Sequence, residues 1–140
     1  MNTITVSITE STDSKKAVII NNNLSHYIDE SEIKALLNKA DETWQYDPGR
    51  AAALGTGLFT LLNGAGNRLR TLISQKLPAG DIHLILNTHK DLDPLPLEMM
   101  YDNRFISLES PVHIIRQGGD KLTAVKIPDR PLRVLFMAHL

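Results

Sequence analysis

The sequence predicts a mixed α/β fold, and three observations carry that expectation. Its first residues alternate, with Ile4, Val6 and Ile8 set against Thr3, Thr5 and Ser7, which is the period of a strand with one wet face. Its middle keeps apolar residues at three- and four-residue spacing, the period of helices that face a core. Its second half holds short apolar runs bounded by proline, glycine and aspartate, which have the length of strands. A hairpin should open the chain, helices should follow, and a sheet part should close it.

Taken in order, the alternating start is followed by the polar turn 10–15 and a β-branched run at 17–20, so residues 3–20 read as an antiparallel hairpin. Asn21, Asn22 and Asn23 end it, because asparagine tolerates positive φ and bonds to nearby backbone. A helix is predicted over 29–39. Asp29 is placed to cap it, Glu30 and Glu32 suit the positive end of its dipole, and Ile33, Leu36, Leu37 and Ala40 form one apolar stripe. Trp44 and Tyr46 then fall in a loop, where Trp44 covers a core edge or, alternatively, offers a stacking platform. Leu54, Leu58, Leu61, Leu62, Leu69, Leu72 and Ile73 keep helical spacing, but Gly64 and Gly66 interrupt them. Each glycine costs about 1 kcal/mol against alanine inside a helix, so two helices are expected, over 50–62 and 66–76. Gly55 and Gly57 should let a neighbour pack closely. They do not form a phosphate loop, since the GxxxxGK[ST] pattern is absent.

The stretch 82–110 organises the rest. Residues 82–86 form an apolar run suited to a strand buried on both faces. A polar loop leads to Pro94 and Pro96, which can start a single helical turn. Leu95, Leu97, Met99 and Met100 are apolar contacts there, with Glu98 the one charge among them. Residues 101–103 are turn chemistry, 105–108 a short strand and 112–116 a further strand. After a glycine turn at 117–120, residues 123–127 are a short strand or an extended linker, and 128–131 a stiff connector. The run 132–140 has the pattern of a central parallel strand, with Phe136 in its middle. Such a strand needs neighbours and covering helices, so the sequence is expected to be the front part of a longer protein.

Bulk composition excludes several function classes. With 140 residues the chain is of ordinary single-domain size. Its parts are a hairpin at 1–23, a helical part at 29–77 and a sheet part at 82–140. Fifteen basic against sixteen acidic residues leave a formal charge of −1, with no surplus to hold a phosphate backbone, so no nucleic-acid contact is predicted. No apolar run approaches the roughly 20 residues that span a bilayer, and no signal peptide opens the chain, so a cytoplasmic location without membrane contact is expected. Cysteine is absent, which removes disulfides, thiolate metal sites and a cysteine nucleophile.

Leu95-Pro96-Leu97-Glu98-Met99-Met100-Tyr101-Asp102, then Phe105-Ile106-Ser107-Leu108, then a strand ending in Arg116, resembles the N-terminal signature of the CHAT domain, a family similar in fold to caspases. Leu97 stands where the family pattern has tryptophan. The likeness extends more loosely over the early strand pair, the acidic helix, residues 54–59, and 131–136 as the first strand of the caspase-like core. It implies a parent that is a bacterial cysteine peptidase of defence or programmed cell death. The family's His–Cys pair lies beyond that strand, so His139 is not its histidine.

This stretch would then be a non-catalytic segment that completes the core sheet and holds the catalytic half of the same protein. No catalytic, cofactor-binding or metal residue is assigned. The candidates are structural or interfacial: Leu95, Leu97, Glu98, Met99, Met100, Tyr101, Arg116 and Phe136. Glu98 is read as a carboxylate that caps backbone or pairs with Arg116 or Arg104, against the alternative of an acid with a raised pKa in a pocket. His83 and His89 with Asp81, Asp91 and Asp93 suggest a carboxylate–imidazole metal site, but no ligand spacing supports it. Arg68, Arg70 and Lys76 read as a solvated helix face. The alternative function is a protein-interaction scaffold that binds a regulatory partner, or a second copy, through the Met99–Tyr101 neighbourhood or the open edge of 132–140.

Overall fold

In a computed structural model, residues 2–11, 14–41, 48–88 and 92–118 are described. They form one mixed sheet with helices, the α/β class expected. The hairpin is β1 (Thr3–Glu10) and β2 (Lys15–Ile20), and it continues into β3 (Asn23–Asp29). Helices α1 (Glu30–Asp41), α2 (Pro48–Asn63) and α3 (Arg68–Lys76) follow, then β4 (Ile82–Thr88), the short helix α4 (Ile106–Glu109) and β5 (Val112–Gly118). The strand order is β3-β2-β1-β4-β5. Pairing is antiparallel on the hairpin side and parallel for β1–β4 and β4–β5. The opening hairpin is therefore the middle of the sheet, and the hairpin, helical and sheet parts share one core.

That core lies on one face. Ile4, Val6 and Ile8 of β1 pack with Val18 and Ile20 of β2 and with Leu84 and Leu86 of β4. Leu36 of α1, Leu54, Leu58 and Leu62 of α2 and Leu69 of α3 close over them. Alternation dictates the other face. Thr3, His83 and His113 lie abreast, as do Thr5, Ile85 and Ile115, because parallel neighbours in register point the same way. On β4 this overturns the expected burial on both faces. Ile82, Leu84 and Leu86 are fully buried, while His83, Ile85 and Asn87 are half-buried. The described helices all pack on the other side.

Strand β3 had no counterpart among the sequence expectations. Asn21 and Asn22 both have positive φ, 49° and 66°, and the flanking residues Ile20 and Asn23 pair. Those are the features of a two-residue primed hairpin turn. The asparagines thus begin a second hairpin instead of ending the first. Between Val18 and Ile19 the register shifts, which leaves Ser25 as an extra residue in β3.

The helix break at 63–67 is built from asparagine as much as glycine. Gly64 takes φ 70° and Asn67 φ 52°. Asn67 gives α3 no side-chain cap. The nearly buried Asn63 does that work from the previous helix: its Oδ1 accepts from the Arg70 N–H at 2.9 Å, and its Nδ2 donates to Asn67 Oδ1 at 2.9 Å. Next to this turn, the His26 ring spans Ser25 Oγ and the Leu61 carbonyl, each at 2.8 Å. A carbonyl only accepts, so Nε2 carries the proton and Nδ1 accepts from the serine.

The strand expected at 105–108 is a turn of helix. Phe105 makes a single bridge to Tyr101, and Ile106–Glu109 is α4. A strand would put Ile106 and Leu108 on one face, whereas here Ile106 is buried and Leu108 is 75% exposed. The Phe105 N–H donates to the Glu109 carboxylate at 2.6 Å, and the Glu109 N–H donates to the Phe105 carbonyl, which closes the turn.

Candidate functional site

The segment between β4 and β5 is held from three sides. From above, α2 is bare at Gly55. A Cβ there would meet the Met99 carbonyl and the Tyr101 Cβ at 2.8 Å, and the Tyr101 N–H donates to the Gly55 carbonyl at 3.0 Å. This is the close neighbour that Gly55 was expected to admit. Gly57 similarly admits Leu36 of α1, whose Cδ2 would lie 2.7 Å from an added Cβ.

From within, Leu92, Leu95, Leu97 and Met100 are fully buried in the main core. Pro96 and Leu97 begin a 3₁₀ turn, Leu97–Met99, that carries Leu97 inward and Glu98 outward. Tyr101 rests edge-on against Phe105, with ring centroids 5.0 Å apart.

From below, Arg116 of β5 reaches the loop. Its Nη2 donates to the Leu92 carbonyl at 3.0 Å and its Nη1 to the Leu95 carbonyl at 3.0 Å, with Asp93 O at 3.4 Å and Glu98 Oε1 at 3.5 Å. One planar fork thus adds a second bond to two carbonyls that already accept turn N–H groups, Leu92 from Leu95 and Leu95 from Leu97. Glu98 is the pair for this cation, with its side chain about half exposed.

A fourth tie comes from α3. Arg70 donates from Nε and Nη2 to the two carboxylate oxygens of Asp102, both at 2.9 Å, and its guanidinium lies 5.6 Å from the centre of the Phe59 ring. Hydrogen bonding to Asp102, and then its charge, raise the Arg70 pKa further. Arg68 donates to the Leu24 carbonyl at 3.3 Å. These two residues are therefore engaged and do not belong to a purely solvated face. The fork arrangement is what the expectation missed: an arginine three residues into a helix and an aspartate 32 residues on have no sequence spacing that links them.

The other candidates fall as follows. Met99 is partly buried, and Met100 and Leu95 completely so. In the Met99–Tyr101 neighbourhood Met100 is thus turned inward, while Met99 and Tyr101 stay partly exposed where they meet α2. His83 meets His113 edge-on at 5.6 Å between centroids, and His113 Nε2 lies 3.0 Å from Asp81 Oδ2. Among the described residues no group of three could hold a metal ion. His89, Asp91, Trp44, Tyr46, Phe136 and the expected elements at 123–127, 128–131 and 132–140 lie outside the described residues.

Two features were not anticipated. Lys16 is 2% exposed on the helical face of β2, with Nζ 2.7 Å from the Glu10 carboxylate across the hairpin. Its parity with Val18 and Ile20 was the available signal. A groove of about 650 Å³ opens between β3, α1 and α2, lined by His26, Tyr27, Leu36 and Gly64 among others. It lies apart from the 95–101 segment and brings together no set of groups for bond-making chemistry.

Comparison with family models, with curated proteins and with solved structures gives no match. Among the described residues no helix is long and apolar enough to cross a membrane.

Proposed function

We propose that the chain is the N-terminal, non-catalytic segment of a CHAT-domain, caspase-like cysteine peptidase. There it completes and supports the protease core of a bacterial defence or cell-death protein. The observation that carries this reading is the meeting of signature residues some twenty positions apart. Leu97, standing at the family's tryptophan position, is fully buried, and Arg116 at the end of the next strand clasps the carbonyls of Leu92 and Leu95. The arrangement fixes a seam between a sheet and its covering elements and asks no reaction of its side chains. The partner in this reading is the catalytic half of the same protein, and no cofactor is involved.

A second reading, a protein-interaction scaffold without peptidase activity, is favoured by the sheet face that no described helix covers. Leu24, Tyr27 and Ile115 are 52%, 54% and 41% exposed there. One experiment separates the two. The coding sequence beyond codon 140 is determined, and the full product is assayed on fluorogenic peptides. A histidine and a later cysteine, each following a strand-like run, with turnover lost on substituting that cysteine, are expected. A parent with neither residue would overturn the peptidase reading and leave the scaffold.

A further inference from the structure

The groove between β3, α1 and α2 has the volume of a ligand site, about 650 Å³ against the roughly 300–1,000 Å³ usual for small molecules. Its walls are apolar or already satisfied. Ile28, Leu36 and Leu61 give it hydrocarbon, and Ala35, Gly57 and Ala65 leave it unfilled. The His26 ring on its β3 side has no nitrogen to spare, since Ser25 Oγ and the Leu61 carbonyl take both. With Nδ1 accepting and Nε2 donating, that ring is neutral.

The electrostatics of the groove have one sign. Among the described residues that line it, Glu32 carries the sole charge. Glu32 lies in the first turn of α1, and its Oε2 accepts the Asp29 N–H at 3.3 Å, the backbone half of a capping box. That bond steadies the carboxylate and leaves Oε1 without a partner among the described residues. On the α2 side lie Thr60 and Leu61, in the last turn of the helix. This is the negative end of the helix dipole, and the turn holds no basic residue to offset it. The Thr60 hydroxyl is likewise unengaged among the described residues. An anion in the groove would face a carboxylate and a helix C-terminus. A cation would find both complementary, and an apolar body attached to it would cover the hydrocarbon walls.

We propose that this groove binds a small organic cation, an apolar ring or short hydrocarbon bearing one protonated amine, with the amine between Glu32 and the last turn of α2. Such a site needs no peptidase in the parent protein, so it is independent of the function proposed above.

Phenethylamine is the probe, with phenethyl alcohol as its uncharged counterpart and hydrocinnamate as its charge-reversed one. Each is titrated to millimolar concentration into the nitrogen-labelled 140-residue chain, and the amide resonances are followed. The amine should shift the amides of Ala35, Gly57 and Ala65 and leave those of β4 and β5 in place. It should bind about three- to fivefold more tightly than the alcohol, the worth of one exposed ion pair, and the acid should bind more weakly than either. Glu32→Gln keeps an oxygen for the Asp29 N–H and should bring the amine down to the affinity of the alcohol. Ala35→Phe, at an exposed helix position, should fill the groove and remove binding of both. No shift at the groove amides, an amine bound no more tightly than the alcohol, or an amine affinity unchanged by Glu32→Gln would each overturn the proposal. Should Ala35→Phe unfold the chain, the Glu32→Gln comparison decides alone.

Discussion

Arg116 shows how a single side chain can brace a turn. The Leu92 and Leu95 carbonyls already accept the N–H groups of Leu95 and Leu97, and a further bond from a charged donor is worth about 1–3 kcal/mol. The guanidinium meets both at 3.0 Å. Arg116→Gln should therefore lower the unfolding free energy by about 1–3 kcal/mol, read as a lower urea midpoint at unchanged slope. Arg116→Lys should recover only part of this, because one ammonium is a compact charge and not a planar fork. At Leu97 the expectation is sharper. The side chain is fully buried, so Leu97→Asp should cost about 3 kcal/mol or more and Leu97→Met less than about 1.5. A Leu97→Asp melting curve that overlays the parent's would show the site to be exposed. Leu97 was legible because Leu95, Met99 and Met100 make an apolar cluster around it in the sequence. The Arg70–Asp102 fork was not, because nothing local marks either residue for the other.

Among elements, the ones read correctly are those whose periodicity spans a full length, namely β1, β2, α1, α2 and α3. Those misread are short and set by a few special bonds. In β3 the extra residue Ser25 spoils the alternation, and the positive-φ pair Asn21-Asn22, which by sequence reads as a stop, is the hairpin signal. At 105–108, β-like residues were overruled by the Glu109 carboxylate, which holds the Phe105 N–H. The junction between α2 and α3 offers a matched pair of substitutions. Gly64 has φ 70°, and an added Cβ would come 2.6 Å from the His26 ring, whereas nothing lies within 4 Å of a Cβ at Gly66. Gly64→Ala should lose more than about 1 kcal/mol, while Gly66→Ala should be neutral or gain up to about 1. Thermal melting of the two variants side by side checks this, and equal effects would mean that the left-handed turn is not what constrains the junction.

On the scale of the whole molecule, the described helices dress the sheet on one side. Helices cover Ile4, Leu84 and their row, and the row of Thr5, Ile85 and Ile115 is left to the remaining chain or to a partner. Among the described residues no arrangement of nucleophile, base and orienting group accompanies this, and cysteine is absent from the sequence. The 140-residue chain alone should accordingly cleave no peptide in a broad fluorogenic panel, and turnover that survives repurification and a zinc chelator would contradict that. Fold class was legible here because composition and period bound it. The one-sidedness was not, because β4 is equally apolar by sequence whichever face is covered. The irregularity at Ser25 carries a consequence for self-assembly. Fibrils that grow by adding strand to strand need two competent edges per molecule, one to receive and one to offer. The bulge bends the hydrogen-bonding row of β3, the edge opposite β5, out of line. Of the two outer strands among the described residues β3 is thus the blunted one, and edge-to-edge association of copies through β5 should stop at a pair.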